Sequence, residues 1–313
     1  TCFYAFSIYL KPGIFCSAIN PTMNDEHLIS IIRERSSLLE PIPTKLESGG
    51  VLRAPVRAVF FDVYGTLFVS GSGDIEILEN SVQDERLGAL LTKYGIPPED
   101  AVSVRERYFT RIREVHEERK LAGVDYPEVV IEKIWEDVLG LSASERSRVF
   151  ALEYELLFNP VWPMPGLETI LQALKSRGLI MGLVSNAQFF TPLLFKAFLE
   201  RDIDEVGFTR ELVLYSYLYG YAKPSSFLFE RARSILDTHG FAPEEALYVG
   251  NDMLNDVYAA ARSGFQTVLF AGDARSLRMR EEDPRCREVK PDVTVLDLKQ
   301  ISDFLEASGD NPD

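Results

Sequence analysis

Hydrophobic residues along the chain follow two patterns, and these patterns predict where its strands and helices lie. Short uninterrupted apolar runs are typical of buried parallel strands. Apolar residues three and four positions apart are typical of amphipathic helices. Because the two patterns alternate over most of the chain, they predict an α/β fold with a doubly wound, mostly parallel Rossmann-like sheet. The predicted strands are a run that ends at Phe61 and the segments Leu179–Val184, Leu212–Tyr215, Ala246–Val249, Gln266–Phe270 and Val293–Leu296. The helices predicted between and after them are Leu167–Ser176, Phe189–Glu200, Ser225–Thr238, Asn255–Ser263 and Leu298–Leu305.

A purely helical stretch interrupts this alternation after the first strand. Gly71-Ser72-Gly73 indicates a flexible joint before it, and the proline-rich segment Asn159–Gly166 indicates a hinge after it. The apolar spacing between these joints predicts helices and no strand, which is typical of an inserted α-helical cap domain. The predicted helices span about 74–94, 99–122 and 127–139, and a fourth starts at Ser142, which has the spacing of a capping box with Glu145.

The N-terminal part stands apart from both patterns. Residues 1–22 are apolar and aromatic but broken by lysine and prolines, so they favour an upstream extension or arm over a cleaved signal peptide, with Met23 as the natural start. An amphipathic helix is predicted at about 25–39, followed by a linker marked by prolines and glycines. The expected division is an arm, helix and linker over 1–50, a Rossmann-like core over 51–70 and 160–313, and a helical cap over 71–159.

Composition limits the classes of partner. The chain has 313 residues, of which 46% are hydrophobic and 26% charged, enough for a sizeable core. A formal net charge of −15, with no basic run unbroken by acids, argues against a nucleic-acid partner. No apolar stretch reaches the roughly 18 residues that cross a membrane, so no membrane association is expected. Three widely separated cysteines favour a reducing cytoplasm. Composition leaves the oligomeric state open.

Polar and charged residues follow three of the predicted strands directly. The C-terminal ends of parallel strands meet at one edge of a sheet, where open α/β sheets bind their ligands. Each residue also has a plain structural explanation, such as a helix N-cap for Ser185, a surface charge for Lys223 or a helix-dipole partner for Asp256. Convergence at one rim favours a shared site. The residues are Asp62, Ser185, Asn186, Lys223, Asn251, Asp252 and Asp256.

Four motifs together resemble those of the haloacid dehalogenase superfamily of hydrolases. They are Asp62-Val63-Tyr64-Gly65-Thr66-Leu67, Val184-Ser185-Asn186, Lys223-Pro224, and Gly250-Asn251-Asp252 through Asp256. The hinge Pro163-Met164-Pro165-Gly166 and the helical insertion are similar to members that carry an α-helical cap after the first motif. The resemblance covers about residues 55–305 and is specific to the superfamily, but it does not indicate a substrate.

The resemblance implies a role for each matching residue. Asp62 would be the nucleophile that forms a covalent intermediate, which water then cleaves. Thr66 and Ser185 would hydrogen-bond the oxygens of the transferring group, and Lys223 would neutralise developing charge. Further substrate contacts are expected from Tyr64, Gly65 and Asn186. In phosphatases of this type Mg²⁺ is the cofactor, and its ligands here would be Asp62, the carbonyl of Tyr64, Asn251, Asp252 and Asp256.

Two departures from the family pattern leave the reaction open. Family phosphatases carry an acid two residues after the nucleophile, where this chain has Tyr64, and 2-haloacid dehalogenases carry a tyrosine there. Many phosphatases have an aspartate at the position of Asn251. Against dehalogenation, Phe229 stands where dehalogenases have an aromatic hydroxyl. In addition, three carboxylates facing Lys223 alone would favour a bound cation.

We therefore expect a Mg²⁺-dependent phosphatase of a small anionic metabolite, with a metal-independent 2-haloacid dehalogenase as the alternative. A third, less favoured hypothesis is a binding protein that kept the fold without turnover. Outside the motifs, the charged run Arg278–Lys290 is interpreted as a solvated loop and His116 as part of a solvated helix face. The alternating tyrosines from Tyr215 to Tyr221 are interpreted as strand packing.

Overall fold

The computed structural model describes residues 25–71, 81–141 and 145–309. The expectations for residues 1–22, the first part of the 74–94 helix and the capping box at Ser142 lie outside these ranges. The described strands are β1 Gly49–Gly50, β2 Ala58–Phe61, β3 Phe68–Ser70, β4 Val161–Pro163, β5 Ile180–Ser185, β6 Phe208–Tyr215, β7 Ala246–Gly250, β8 Gln266–Phe270 and β9 Val293–Val295.

Helices connect most of these strands. In chain order they are α1 Glu26–Arg35, α2 Ser81–Lys93, α3 Ala101–Leu121, α4 Ile131–Leu139, α5 Glu145–Phe158, α6 Leu167–Ser176, α7 Thr191–Leu199, α8 Ile203–Val206, α9 Ser216–Tyr219, α10 Phe227–Thr238, α11 Ala259–Arg262, α12 Pro284–Arg287 and α13 Gln300–Gly309. Short 3₁₀ segments lie at Pro98–Asp100 and Pro243–Glu245, and a π-helical segment, Met253–Tyr258, leads directly into α11.

The main sheet has the strand order β1-β9-β8-β7-β2-β5-β6. All neighbours are parallel except β1 and β9, so the predicted doubly wound, mostly parallel sheet is confirmed. The predicted linker glycines Gly49 and Gly50 form the antiparallel edge strand β1, which corrects that part of the linker assignment. Strand β2 pairs with both β5 and β7, so the residue that follows it, Asp62, lies in the middle of the C-terminal edge.

Alternate side chains of the central strands enter two different cores. From β2, Val59 and Phe61 pack into one core, whereas Ala58 and Phe60 pack into the other. Because successive strand residues point to opposite faces, this division means that both faces of the sheet are covered. Gly182 of β5 allows a close approach, since a Cβ there would lie 2.4 Å from the Phe60 ring.

Helices α2 to α5 form the insertion between β3 and β4. Its centre is a cluster of aromatic rings that includes Tyr108 stacked on Trp135, with ring centroids 4.3 Å apart. Strands β3 and β4 pair antiparallel and join the insertion to the sheet. These two strands were missing from the prediction, because three-residue strands next to glycines and prolines have too few positions to show a period.

Helix α1 contacts both the insertion and the sheet-bearing part. Arg35 forms an ion pair with Glu153 of α5 at 2.8 Å, and Arg33 donates to the carbonyl of Ala197 in α7 at 2.9 Å. Its apolar side is buried through Leu28, Ile29, Ile31 and Ile32. The helix therefore connects the inserted helices to the core. No helix among the described residues has the length and hydropathy that a bilayer crossing requires.

Candidate active site

Asp62 lies directly after β2, at the C-terminal edge of the sheet. Its backbone N–H donates to the carbonyl of Val249 at the end of β7, which fixes the start of the following turn. Its side chain is only slightly exposed, and Oδ1 accepts a 2.8 Å hydrogen bond from Lys223 Nζ. No other hydrogen bond engages the Asp62 carboxylate within the described part of the chain, so Oδ2 keeps its lone pairs.

The buried Lys223 ammonium joins two carboxylates. Its Nζ lies 2.8 Å from Asp62 Oδ1 and 2.6 Å from Asp256 Oδ1, and 2.9 Å from the hydroxyl of Tyr248. These three partners match the three N–H donors of an ammonium group. Burial by itself would lower the pKa of Lys223, but the carboxylates of Asp256 and Asp62 raise it above its usual value, so the side chain stays charged.

Asp256 belongs to the acidic loop, residues 251–256 after β7, and is held by the backbone of this loop as well as by the lysine. Its Oδ2 accepts from the backbone N–H of Asp252 at 2.9 Å, and its carboxyl packs against Gly250, where a Cβ would lie 2.3 Å from Asp256 Cγ. Burial raises the pKa of Asp256, and the charge of Lys223 opposes this rise. Asp256 therefore orients Lys223 rather than facing the cavity as a free acid.

Asn186 positions the backbone of Lys223. Its Oδ1 accepts from the Lys223 N–H at 2.7 Å, and its Nδ2 donates to the Lys223 carbonyl at 3.3 Å. Ser185, the last residue of β5, is fully buried, and the contact of its hydroxyl with the Asn186 carbonyl is long, at 3.4 Å. The role of Ser185 in holding the transferring group remains a prediction.

The turn after Asp62 packs against the acidic loop. Thr66 is buried and donates to Asn251 Oδ1 at 3.0 Å. Gly65 has φ of +78°, and a Cβ there would lie 2.5 Å from Ser276 Cβ, so only glycine fits. The Tyr64 hydroxyl lies 2.9 Å from Thr191 Oγ1, and burial raises the Tyr64 pKa above its usual value. Tyr64 is thus held as a neutral phenol in the wall of the site.

A cavity of about 1190 Å³ lies between this edge of the sheet and the inserted helices. Of the predicted site residues, Asp62, Tyr64, Asn186, Lys223, Asn251, Asp252 and Asp256 line it. Gly65, Thr66 and Ser185 are not among its lining residues. His116 does line it, which corrects the interpretation of this residue as part of a solvated helix face.

Two further residues of the cavity wall are glutamates of the insertion. Glu128 accepts from Ser216 Oγ at 2.6 Å and from the Val129 N–H at 2.8 Å, and burial raises its pKa to about 7. Glu155 accepts from Asn159 Nδ2 at 2.9 Å, and burial raises its pKa as well. Sequence reasoning missed both, because a single glutamate in a helical pattern resembles an ordinary surface residue.

Arg280 is the other functional candidate that sequence reasoning missed. Its guanidinium binds Asp252, with Nη2 2.7 Å from Oδ2, and it lines the cavity. The interpretation of 278–290 as a solvated loop is therefore wrong at its start, and the run also contains the short helix α12. Lys223 and Arg280 both pair with members of the group Asp62, Asp252 and Asp256. The net negative charge of this group is therefore smaller than it would be with Lys223 alone.

The tyrosines before Lys223 are also arranged differently from the prediction. Tyr215 ends β6, whereas Tyr217 and Tyr219 lie in the helical turn α9. Tyr221 stacks on Phe227 with ring centroids 4.2 Å apart. The strand-packing interpretation is therefore wrong beyond Tyr215, because Ser216 begins a turn of helix that ends at a left-handed Gly220.

Comparison with known proteins decides the family. The family model described as haloacid dehalogenase-like hydrolase matches residues 56–264, about two thirds of the chain. The chain belongs to this family. This confirms the resemblance drawn from the four motifs.

Relatives of this haloacid dehalogenase-like hydrolase include enzymes named as phosphatases. A glyceraldehyde 3-phosphate phosphatase of Methanothermobacter thermautotrophicus is 26% identical over 80% of this chain and 100% of that protein. A phosphoserine phosphatase of Thermus thermophilus is 32% identical over 51% of this chain and 57% of that protein. In fold, a 2-haloacid dehalogenase of Pseudomonas syringae has a TM-score of 0.50 at 17% identity, covering 80% of this chain and 99% of that one.

The donor types at the edge of the sheet fit Mg²⁺, which family phosphatases use. Asp62 Oδ2 has free lone pairs, and the Asn251 amide and the Tyr64 carbonyl are further hard oxygen donors. The described residues contain no group of three or more acidic, histidine or cysteine side chains arranged to hold a metal.

Glu128 gives a pH-dependent prediction for the stability of this hydrolase. The pKa of Glu128 is about 7 in the folded protein, above its usual value of 4.5, so the folded state favours the protonated carboxyl. The free energy of unfolding should therefore fall as pH rises from about 4.5 to about 7, because the folded protein then has to bury a charged carboxylate. Glu128→Gln keeps a neutral group there. We expect the variant to gain stability relative to wild type across this range, on the order of 1–3 kcal/mol at pH 8, in urea unfolding at several pH values. The exposed Glu117→Gln is the control, and equal pH profiles for both variants would contradict the assignment.

Proposed function

We propose that this protein is a Mg²⁺-dependent phosphatase of a small phosphorylated metabolite, acting through Asp62. One observation carries the proposal. The Asp62 carboxylate has Oδ1 fixed on Lys223 and Oδ2 without a partner, in a cavity that the acidic loop also lines. The glyceraldehyde 3-phosphate and phosphoserine phosphatases among the relatives support a substrate of this class. A cytoplasmic location remains a prediction.

The proposed reaction has two displacements at phosphorus. Asp62 Oδ2 forms a bond to phosphorus while the bond to the leaving oxygen breaks, and the leaving oxygen takes a proton. Water then forms a bond to phosphorus and the bond to Asp62 breaks, which releases inorganic phosphate and restores the carboxylate. The proton that the water loses returns to the group that protonated the leaving oxygen. Lys223 holds Oδ1 and supplies positive charge close to the oxygens of the transferring group.

Mg²⁺, when bound, would neutralise the phosphate oxygens so that an anionic nucleophile can approach them. Asp62, the Tyr64 carbonyl and Asn251 would hold it, with Asp252 as a further ligand. Asp256 is committed to Lys223 and to the Asp252 N–H, so we assign it a positioning role.

The proton for the leaving oxygen needs a source, because Tyr64 stands where family phosphatases have an acid. Tyr64 is directed toward Thr191 and its raised pKa makes it a weak proton donor. Glu155 lines the same cavity as Asp62 and Tyr64, and its charge adds to burial in raising the pKa of Tyr64. We assign Glu155 as the proton donor, since burial favours its neutral form.

A dehalogenase remains the second candidate function. Tyr64 favours it, because a departing halide needs no proton and the tyrosine matches the dehalogenase pattern. In that reaction Asp62 would attack carbon and no divalent cation would be required.

The two functions predict different products. We expect the purified protein to release phosphate from p-nitrophenyl phosphate when Mg²⁺ is present, with activity lost on chelation. Asp62→Asn should lower this rate by at least about 10³-fold, because the neutral amide is a poor nucleophile. Phosphate release is measured with and without Mg²⁺, and halide release is measured with 2-chloropropionate. Metal-independent halide release without phosphatase activity would overturn the proposal in favour of the dehalogenase. No turnover of either substrate would support the binding protein.

Glu155 is tested by the leaving group. An alkyl phosphate needs protonation of its leaving oxygen much more than p-nitrophenyl phosphate does, and a positioned acid contributes about 10²–10⁴-fold. Glu155→Gln should therefore slow an alkyl phosphate far more than p-nitrophenyl phosphate, measured as the ratio of kcat/KM for the two substrates. Glu128→Gln, a matched change in the same cavity wall, should leave that ratio at the wild-type value. Equal losses on both substrates for Glu155→Gln would rule it out as the proton donor.

A further inference from the structure

The segment Asp273–Arg280 is built into the active site. Asn251 Nδ2 donates to the carbonyl of Ser276 at 2.6 Å, and Ser276 fills the space beside Gly65. The backbones of Arg278 and the acidic loop pair as well: the Met253 N–H donates to the Arg278 carbonyl at 2.8 Å, and the Arg278 N–H to the Asn251 carbonyl at 3.0 Å. These bonds hold Arg280 beside Asp252.

The Asp252 carboxylate has no lone pair left in this arrangement. Its Oδ1 accepts from the N–H groups of Leu254 and Asn255, at 2.8 and 3.1 Å. Its Oδ2 accepts from Asn255 Nδ2 at 3.2 Å and from Arg280 Nε and Nη2 at 3.1 and 2.7 Å. A carboxylate offers about four lone-pair positions, and these donors already use them. A cation can therefore bind Asp252 only after one of the donors has moved away.

Arg280 is the donor that can leave. The two backbone N–H groups lie in the first turn of the π-helical segment that Asp252 caps, and the Asn255 amide is carried by the same segment. The Arg280 side chain is about one third exposed and faces the cavity. Its backbone has φ of +52°, a left-handed conformation that a long side chain adopts at an energetic cost. The Arg280 guanidinium therefore contacts Asp252 while the backbone of Arg280 is strained.

We propose that Arg280 competes with the divalent cation for Asp252, so that its guanidinium occupies this carboxylate in the cation-free enzyme and leaves it when the cation binds. The inference rests on the Mg²⁺ site of the proposed function. Arg280 then sets the affinity for the cation, and its side chain lies at the cavity wall after it has left Asp252. Arg280 is a positioning residue here, because it acts on the cation through Asp252.

The competition has a measurable consequence. An arginine fork on a carboxylate is a strong charge-assisted contact, and binding a second cation to the same oxygens requires breaking it. While Arg280 contacts Asp252, its positive charge also repels a divalent ion that approaches the same carboxylate. Replacing Arg280 with a neutral residue should therefore tighten Mg²⁺ binding by about tenfold or more, which corresponds to about 1.4 kcal/mol per tenfold.

The test is calorimetric titration of Mg²⁺ alone into wild-type protein, Arg280→Gln and Arg278→Gln. Arg278 is the matched control, because it lines the same cavity and its Nη1 donates to the carbonyls of Arg275 and Leu277. We expect tighter Mg²⁺ binding for Arg280→Gln, and for Arg278→Gln a much smaller change. Arg280→Lys, which keeps the charge without the fork, should fall between wild type and Arg280→Gln and also serves if the glutamine variant does not fold.

Two results would overturn the inference. Unchanged or weaker Mg²⁺ binding by Arg280→Gln and Arg280→Lys would show that the arginine does not compete. If Arg278→Gln tightened Mg²⁺ binding as much as Arg280→Gln, the higher affinity would result only from the loss of one positive charge from the cavity wall. Because the titration contains no substrate, it is independent of phosphate release. Failure of the phosphatase assay with a preserved affinity gain would therefore refute the proposed function, and the reverse pattern would refute the role of Arg280 alone.

Discussion

The contact on which the site depends is the buried ammonium of Lys223 between Asp62 and Asp256. A buried charge is stable only when it is paired and hydrogen-bonded, and here all three ammonium donors are used. The partners are the residue that follows β2, a residue within β7 and a residue of the acidic loop, so the lysine joins these three segments into one unit. Loss of the lysine would leave the Asp62 and Asp256 carboxylates without a compensating charge.

This pairing also decides what each carboxylate is free to do. Both oxygens of Asp256 are hydrogen-bonded, one to Lys223 and the other to the Asp252 N–H. Asp62 binds Lys223 through Oδ1, and its Oδ2 stays available. Asp252 is satisfied by the π-helical segment and Arg280. Three acidic residues that look equivalent in the sequence therefore have three different states in the fold. Lys223 and Arg280 together offset two of these three carboxylate charges before any ligand binds.

The central part of the site could be predicted from the sequence, because it follows from one geometric rule. Parallel strands end at a common edge, so Asp62, Asn186 and Asn251 had to lie near one another. Arg280, Glu128 and Glu155 could not be found this way. Arg280 and Glu128 reach the cavity from loops, and Glu155 reaches it from an inserted helix. Their positions depend on tertiary contacts that leave no periodic signal in the sequence. The β3–β4 pair was missed for a related reason, since its strands are too short to show alternation.

The most direct test of the account is chemical trapping of the intermediate at position 62. Protein quenched during turnover of a phosphate ester is treated with borohydride, which reduces an aspartyl phosphate to homoserine, and the peptides are then analysed by mass spectrometry. We expect homoserine at position 62, dependent on substrate and absent from Asp62→Asn. Homoserine at another acidic residue, or turnover during which Asp62 is never converted, would contradict it.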